Sequence, residues 1–350
     1  MRILHFIPIK FIGIVLILSS VSFASCNNSG KSKDQKQESI TSQSSAVLSV
    51  IFDTDIQGDY DDVGALAMLH AFADSGKVKI LGTISSNRSP LVAPTLEVIN
   101  TYFGRPEIPI GVLKEGGVKQ DARELHWPDS LMAHYPHTYK NNDQAPEAVE
   151  VYRRILAHQP DSSVTIISVG FLTNLKNLLL STSDSLSPLN GRDLVAKKVK
   201  KWVAMAGRFP KGKETNIRRD STASQYVIDN WPTPIVFSGF EVGVKIKTGL
   251  RLIKNGSSDS PIRMVFSISI HKRSGDKNGH SSYDQTAVLV AVKGFDHYFD
   301  YKTGWFITSP DGSNQWKNDP KGRHKYLVMK MSADSINHVI EDLMMHKPMY

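Results

Sequence analysis

The chain has 350 residues, 40% hydrophobic and 22% charged, with 24 Gly and 17 Pro. That composition excludes collagenous and wholly disordered readings and leaves ample apolar material for a core, while a single cysteine excludes an intrachain disulfide framework and any Cys-based zinc site. The formal net charge of +8 would suit nucleic acid or a membrane surface, so its distribution along the chain decides what it means.

Arg2 and Lys10 precede an apolar run from Phe11 to Leu18, then small residues and Phe23-Ala24-Ser25-Cys26. A basic start, an apolar stretch too short to span a bilayer and a small-residue cleavage region predict a secretory signal peptide over residues 1–25. The segment resembles a bacterial lipoprotein signal, with Cys26 where the signal peptidase would leave it as the new N-terminus. The expectation is therefore lipidation at Cys26 and a periplasmic or cell-surface protein held to a bacterial membrane; a plain signal peptide with an incidental Cys is the alternative. Residues 26–46 are polar and lack aromatics, as in a flexible tether. Loss of residues 1–25 removes Arg2 and Lys10 and lowers the charge from +8 to +6. No long basic block remains in 47–350, so no nucleic-acid partner is expected.

From residue 47 the chain alternates short Val/Ile-rich runs with helical patterns. Strands are predicted at Val47–Asp53, Val78–Ile84, Ile108–Val112, Val164–Val169, Val199–Ala206 and Thr233–Ser238. Most lack polar alternation, as expected of strands buried on both faces. Helices are predicted at Val63–Ala73, Pro90–Phe103, Pro146–His158, Leu172–Leu180, Thr222–Asn230, Asp284–Val292 and Ser332–Met345. The alternation predicts an α/β fold, one large domain over 47–350 with an open, mostly parallel, Rossmann-like sheet flanked by helices. Residues 114–144, with His126, His134 and His137, read as an active-site flap or a surface insertion. Residues 208–220 and 271–283 read as charged loops.

The most informative segment runs from Val50 to Leu66 and holds Asp53, Asp55, Asp59, Asp61 and Asp62 directly after a strand and leading into a helix. Ligands of open parallel sheets bind at the carboxyl ends of strands, where these side chains emerge. Clustered carboxylates repel one another and resist desolvation unless a cation neutralises them. A hard divalent ion, Ca²⁺ or Mg²⁺, is the natural partner. Capping the following helix would need one Asp, not five.

Here the chain resembles the inosine-uridine-preferring nucleoside hydrolase family, whose N-terminal signature is an Asp-x-Asp…Asp-Asp run. Asp53-Thr54-Asp55 and Asp61-Asp62 match it with a longer spacer. Further matches over most of 47–300 are Ile84-Ser85-Ser86-Asn87, Gly170-Phe171-Leu172-Thr173-Asn174, Met205-Ala206-Gly207 with Glu214-Thr215-Asn216, and Tyr283-Asp284-Gln285-Thr286-Ala287. The resemblance implies calcium held by Asp55, Asp62, the Thr173 carbonyl and Asp284, with Asp53 in support. It implies ribose and substrate contacts from Asn87, Met205, Glu214, Asn216 and Tyr283. It also implies a general base at Asp61, with Asp59 as the alternative because the spacer shifts the register, and it is compatible with a homo-oligomer. Thr215 stands where the family has Phe and Tyr283 where many members have a His, and Asp220-Ser221-Thr222-Ala223 departs from its Asp-Pro-Glu-Ala.

The activity implied is calcium-dependent hydrolysis of the N-glycosidic bond of a ribonucleoside to free base and ribose. The leaving-group acid stays open among His280, Tyr283, His271 and the three histidines of 114–144, and Trp127, Phe209, Tyr226 and Trp305 are candidates for a base-binding wall. Three other readings remain. One is a non-catalytic nucleoside- or sugar-binding lipoprotein of the same fold. Another is a hydrolase of a different glycoside. The third is a haloacid-dehalogenase-type phosphatase, disfavoured by Gln57 and by the unexplained Asp61-Asp62 pair.

Overall fold

The structure is a computed structural model that describes residues 47–121 and 123–349; the predicted signal peptide, the tether and Cys26 lie outside the described residues. The strands are β1 (Leu48–Thr54), β2 (Val78–Ser85), β3 (Ile110–Val112), β4 (Val164–Ser168), β5 (Val199–Met205), β6 (Lys211–Lys213), β7 (Ile235–Ser238), β8 (Lys247–Thr248), β9 (His280–Ser281), β10 (Phe299–Thr308), β11 (Ser313–Asn318) and β12 (His324–Met329). The helices are α1 (Asp61–Asp74), α2 (Val92–Tyr102), α3 (Trp127–His134), α4 (Ala148–Ala157), α5 (Thr173–Leu180), α6 (Gly191–Lys198), α7 (Thr215–Arg219), α8 (Ser221–Asn230), α9 (Phe240–Gly243), α10 (Leu250–Asn255), α11 (Pro261–Lys272), α12 (Tyr283–Lys293) and α13 (Ala333–Met344).

Ten strands form one sheet in the order β3-β2-β1-β4-β5-β7-β12-β10-β11-β6. Pairing is parallel from β3 through β12 and antiparallel across β12-β10-β11-β6. The expected open, mostly parallel sheet is present, and both its faces are covered. On β1, Val50 and Phe52 enter a core with Leu66 and Leu69 of α1 and Leu289 of α12. Ile51 faces the other way, into a core with Val151 of α4, Leu175 of α5 and Val227 of α8. Burial on both sides is why these strands read as continuous apolar runs.

Helix α1 is buried from Asp61 to Phe72, which explains its nearly uninterrupted apolar sequence. The predicted helices 63–73, 90–103, 146–158, 172–180, 222–230, 284–292 and 332–345 all have counterparts within about two residues at each end. Several features escape the sequence pattern, including α3, α9, α10, β8 and β9, the last within the loop read at 271–283. Strands β10, β11 and β12 are half-exposed, and no strand is expected after 238. Helix α6 is short and buries only Gly191, Leu194 and Val195. Helix α11 carries the β-branched Val265, Ile268 and Ile270; Ser260 caps it by accepting from Arg263 N, and Pro261 opens it. The loop read at 208–220 holds β6 and α7.

Chain order runs from β1 toward β3 on one side and from β4 toward β7 on the other. The connections therefore reverse between β1 and β4, leaving a crevice at their carboxyl ends. The aspartates after β1 open into that crevice.

Candidate active site

A cavity of about 330 Å³ occupies this crevice, a size suited to a small-molecule ligand. Its floor comes from the loop after β1 and the start of α1, with Asp55, Asp59, Asp61 and Asp62, and from Asp284 on the first turn of α12. Val169 and Met205, at the ends of β4 and β5, line one side with Glu214, Thr215 and Asn216. The end of β4 reaches the acidic loop through Gly170, where a Cβ would stand 2.3 Å from Asp55 N. Only glycine allows that approach.

Asp61, Asp62 and Asp284 bring carboxylate oxygens within 4.8 Å of one another. Asp61 Oδ2 accepts the backbone amides of Tyr283 and Asp284, each at 3.2 Å, and the Thr54 hydroxyl donates to Asp62. Among the described residues, the Asp55 and Asp284 side chains receive no protein hydrogen bond. Burial, then repulsion from Asp62, Asp61 and Glu214, raises the Asp55 carboxyl well above its ordinary range. Burial and the charges of Asp61, Asp62 and Asp55 do the same to Asp284, and burial with Asp61 does so to Asp62. Buried carboxylates that destabilise one another and lack donors fit a hard cation with oxygen ligands.

Asp53 stands behind this layer, fully buried. It accepts from Tyr152 Oη at 2.8 Å and Asn174 Nδ2 at 3.1 Å. Burial pushes its carboxyl up to about 7 in spite of those bonds. It is not among the residues that line the cavity.

Asp59 differs from its neighbours. Burial raises it, but the His280 imidazole at 3.3 Å and the Arg273 guanidinium at 2.6 Å hold it below the usual carboxylate range. His280 Nδ1 lies 3.0 Å from Asp276, and its ring stacks on Tyr60 with centroids 4.0 Å apart. Burial disfavours its charge, but Asp59, Asp276 and Asp61 together push the imidazole well above its ordinary range. His280 therefore braces the acidic loop from behind the cavity.

Two expected residues are placed otherwise. Thr173 does not line the cavity. It opens α5, a position whose carbonyl the helix uses itself, and its hydroxyl donates to Asp220. The residue before Gly170, Val169, does line the cavity beside the carboxylates, and its carbonyl accepts Asn216 Nδ2 at 2.9 Å. Asn87 is wholly buried below the floor. Its amide donates to the carbonyls of Asp55, Ile56 and Gln120 and accepts from Ser89 N and Gln120 N. It shapes the acidic loop and has no group left for a sugar.

Glu214, Asn216 and Met205 are at the cavity as expected. Glu214 caps α7, accepting from Asn216 N at 2.7 Å, Ile217 N at 3.2 Å and Gly207 N at 3.1 Å; burial raises its carboxyl even so. Tyr283 also lines the cavity and stacks on Phe240 with centroids 5.3 Å apart. His126, His134 and His271 are exposed, and Trp127 is core. None of these four, nor His137, Phe209, Tyr226 or Trp305, lines the cavity. The wall instead includes Phe240, Gln120, Arg218 and Arg219, which the sequence reading missed. Among the described residues of the long 114–144 segment, Gln120 alone reaches the cavity, donating from Nε2 to Gly58 O at 2.8 Å.

A family model described as inosine-uridine preferring nucleoside hydrolase matches residues 50–329. Comparison with curated proteins finds no match. Among solved structures, a purine-preferring ribonucleoside hydrolase from Gardnerella vaginalis is similar with a TM-score of 0.67 at 14% identity, covering 85% of this chain and 98% of that one. A plant nucleoside hydrolase gives 0.65 at 18% identity, over 85% of this chain and 99% of that one. An inosine-uridine preferring nucleoside hydrolase from Bacillus anthracis gives 0.63 at 15% identity, over 85% and 99%. At such identities the structural likeness speaks for the fold, and the family model speaks for membership. The chain belongs to the inosine-uridine preferring nucleoside hydrolase family, hydrolases acting on N-glycosyl compounds.

Proposed function

We propose that the protein hydrolyses the N-glycosidic bond of ribonucleosides with calcium bound among the carboxylates of its crevice. The observation that carries this is the pair Asp55 and Asp284, buried carboxylates with no protein donor that face Asp61 and Asp62 at the topological switch point. Asp55, Asp62, Asp284 and the Val169 carbonyl would hold the ion. An all-oxygen set that includes a backbone carbonyl suits calcium better than magnesium. When bound, calcium supplies charge neutralisation, orientation of the sugar and a more acidic water.

The chain's own residues divide the remaining work. Asp61, expected from the family signature to be the base, has Oδ2 held by two amides and Oδ1 3.7 Å from His280. Asp59 is neutralised by Arg273 and His280. Asp55 has both oxygens free of protein donors, so with one oxygen toward the ion the other is left to take a proton from the attacking water. Glu214 and Asn216 align the sugar, and the Tyr283–Phe240 pair gives the base an aromatic face.

A nucleoside- or sugar-binding protein without catalysis is the second reading. What favours it is that, among the described residues, no imidazole lines the cavity to protonate a leaving base. A panel of ribonucleosides incubated with calcium-loaded protein separates the two: free base and reducing sugar are expected, whereas binding without release selects the second. Membrane attachment through Cys26 is proposed independently, and Cys26→Ala should move the protein from the membrane to the soluble fraction.

A further inference from the structure

Six of the charged side chains lining the cavity are carboxylates, and the two exceptions are Arg218 and Arg219. Both belong to α7, the short helix that begins immediately after Glu214. Both are exposed, and among the described residues neither guanidinium makes a hydrogen bond or ion pair. The nearest acids are already committed. Asp220 caps α8 by accepting from Ala223 N and also accepts the Thr173 hydroxyl, and Asp311 pairs with Lys213.

Arg218 is held in place by its stem. The turn between β10 and β11 passes over it at Gly312, where a Cβ would stand 2.7 Å from Arg218 Cα and 3.1 Å from its Cβ. The backbone crosses where a side chain would collide, and the guanidinium remains free at the cavity edge. On the same side Arg208 lies over the Phe240 ring, 4.8 Å from its centroid. One rim of an otherwise acidic cavity therefore carries two guanidiniums with no hydrogen-bond or ion-pair partner among the described residues.

We propose that the substrate, or a preferred ligand of this site, is a ribosyl compound phosphorylated at C5, with Arg218 and Arg219 as its phosphate contacts. This rests on the reading of the cavity as a ribonucleoside site. C1 carries the bond to be broken and the 2- and 3-hydroxyls belong with the carboxylate floor, so C5 is the sugar position left to reach α7. Two guanidiniums without competing carboxylates match a phosphate in charge and in donor geometry. They do not serve the acidic floor, because neither forms an ion pair with any of its carboxylates.

Equilibrium binding by calorimetry on calcium-loaded protein tests this independently of turnover, with ribose, ribose 5-phosphate, inosine, inosine 5′-monophosphate and inorganic phosphate as probes. Each phosphate ester is expected to bind at least about tenfold tighter than its unphosphorylated counterpart, as charge-assisted hydrogen bonds imply. That ratio should fall toward one in Arg218→Gln/Arg219→Gln and shrink with added salt. Equal binding of the esters and their counterparts, or an unchanged ratio in the double variant, overturns the proposal. So does tight inorganic phosphate with no gain for the esters. If the esters bind tightly but no nucleoside or nucleotide is hydrolysed, the catalytic reading fails and the phosphate site stands.

Discussion

Asp61 Oδ2 accepts the backbone amide of Asp284 at 3.2 Å, closing a contact across 223 residues of sequence. The first and last acidic segments that line the cavity are thereby locked into one cluster. Together with the bond from the Tyr283 amide to the same oxygen, it sets the start of α12 so that Asp284 meets the aspartates after β1. Asp61 acts as the brace of the cluster, and this separates its role from that of Asp55.

That division predicts unequal effects of isosteric changes. Asp55→Asn should lower kcat by about 10²–10⁴-fold, the usual worth of a general base, with the fold intact by circular dichroism. Asp59→Asn should cost far less, since its carboxylate is already neutralised by Arg273 and His280. Steady-state kinetics on the two variants checks the order, and a larger loss in Asp59→Asn would reverse the assignment.

Gly170→Ala probes the approach of β4 to the acidic loop. The added Cβ would stand 2.3 Å from Asp55 N, so the loop must move. Overpacking of this kind costs about 1–3 kcal/mol. Denaturant unfolding should show that loss, together with weakened calcium binding.

Tyr283 lines the cavity, and its ring stacks on Phe240. If its contribution is the aromatic face, Tyr283→Phe should change kcat by only a few-fold, whereas Phe240→Ala should raise KM by about 2–10-fold, the range expected for a lost stacking pair. A collapse of kcat in Tyr283→Phe would instead make the hydroxyl a proton donor.

Metal removal couples to pH through the carboxylates. Asp55, Asp62 and Asp284 have raised proton affinity in the folded, metal-free protein. The folded state then holds more protons than the unfolded chain, so stability falls as pH rises from the ordinary carboxylate range, about 4, through the raised values. His280, also raised, contributes stability below about 6.5 that is lost as pH climbs through its folded value. Metal-free protein should accordingly have a higher Tm at pH 5.5 than at pH 8. Calcium should reverse the trend, because binding displaces the protons; at a hundredfold excess over Kd it adds about 2.7 kcal/mol. Differential scanning fluorimetry across pH, with and without chelator, measures both slopes.

Much of the framework is legible in the sequence, for identifiable reasons. Strands buried on both faces announce themselves as apolar runs, and Asp53, Asp55, Asp61 and Asp62 sit next to one of them, so the carboxylate cluster can be read from one segment plus Asp284. The antiparallel strands after Phe299 are half-exposed and carry no such signal. The ligand proposed at Val169 is a backbone carbonyl, which no residue type advertises, and Thr173, four residues further on, reads as the more polar choice. Asn87 is correctly near the loop, yet its amide is consumed by five backbone groups, a count visible only in three dimensions. Arg218, Arg219 and Phe240 reach the cavity because α7 and α9 fold over it, not because of any local pattern.

The most direct test of the central claim is calcium-dependent release of free base from inosine and uridine by chelated and then reconstituted protein. The account predicts that activity vanishes with the ion and returns in proportion to calcium bound, saturating at one ion per chain. Full activity in protein shown by elemental analysis to be free of divalent metal would contradict it.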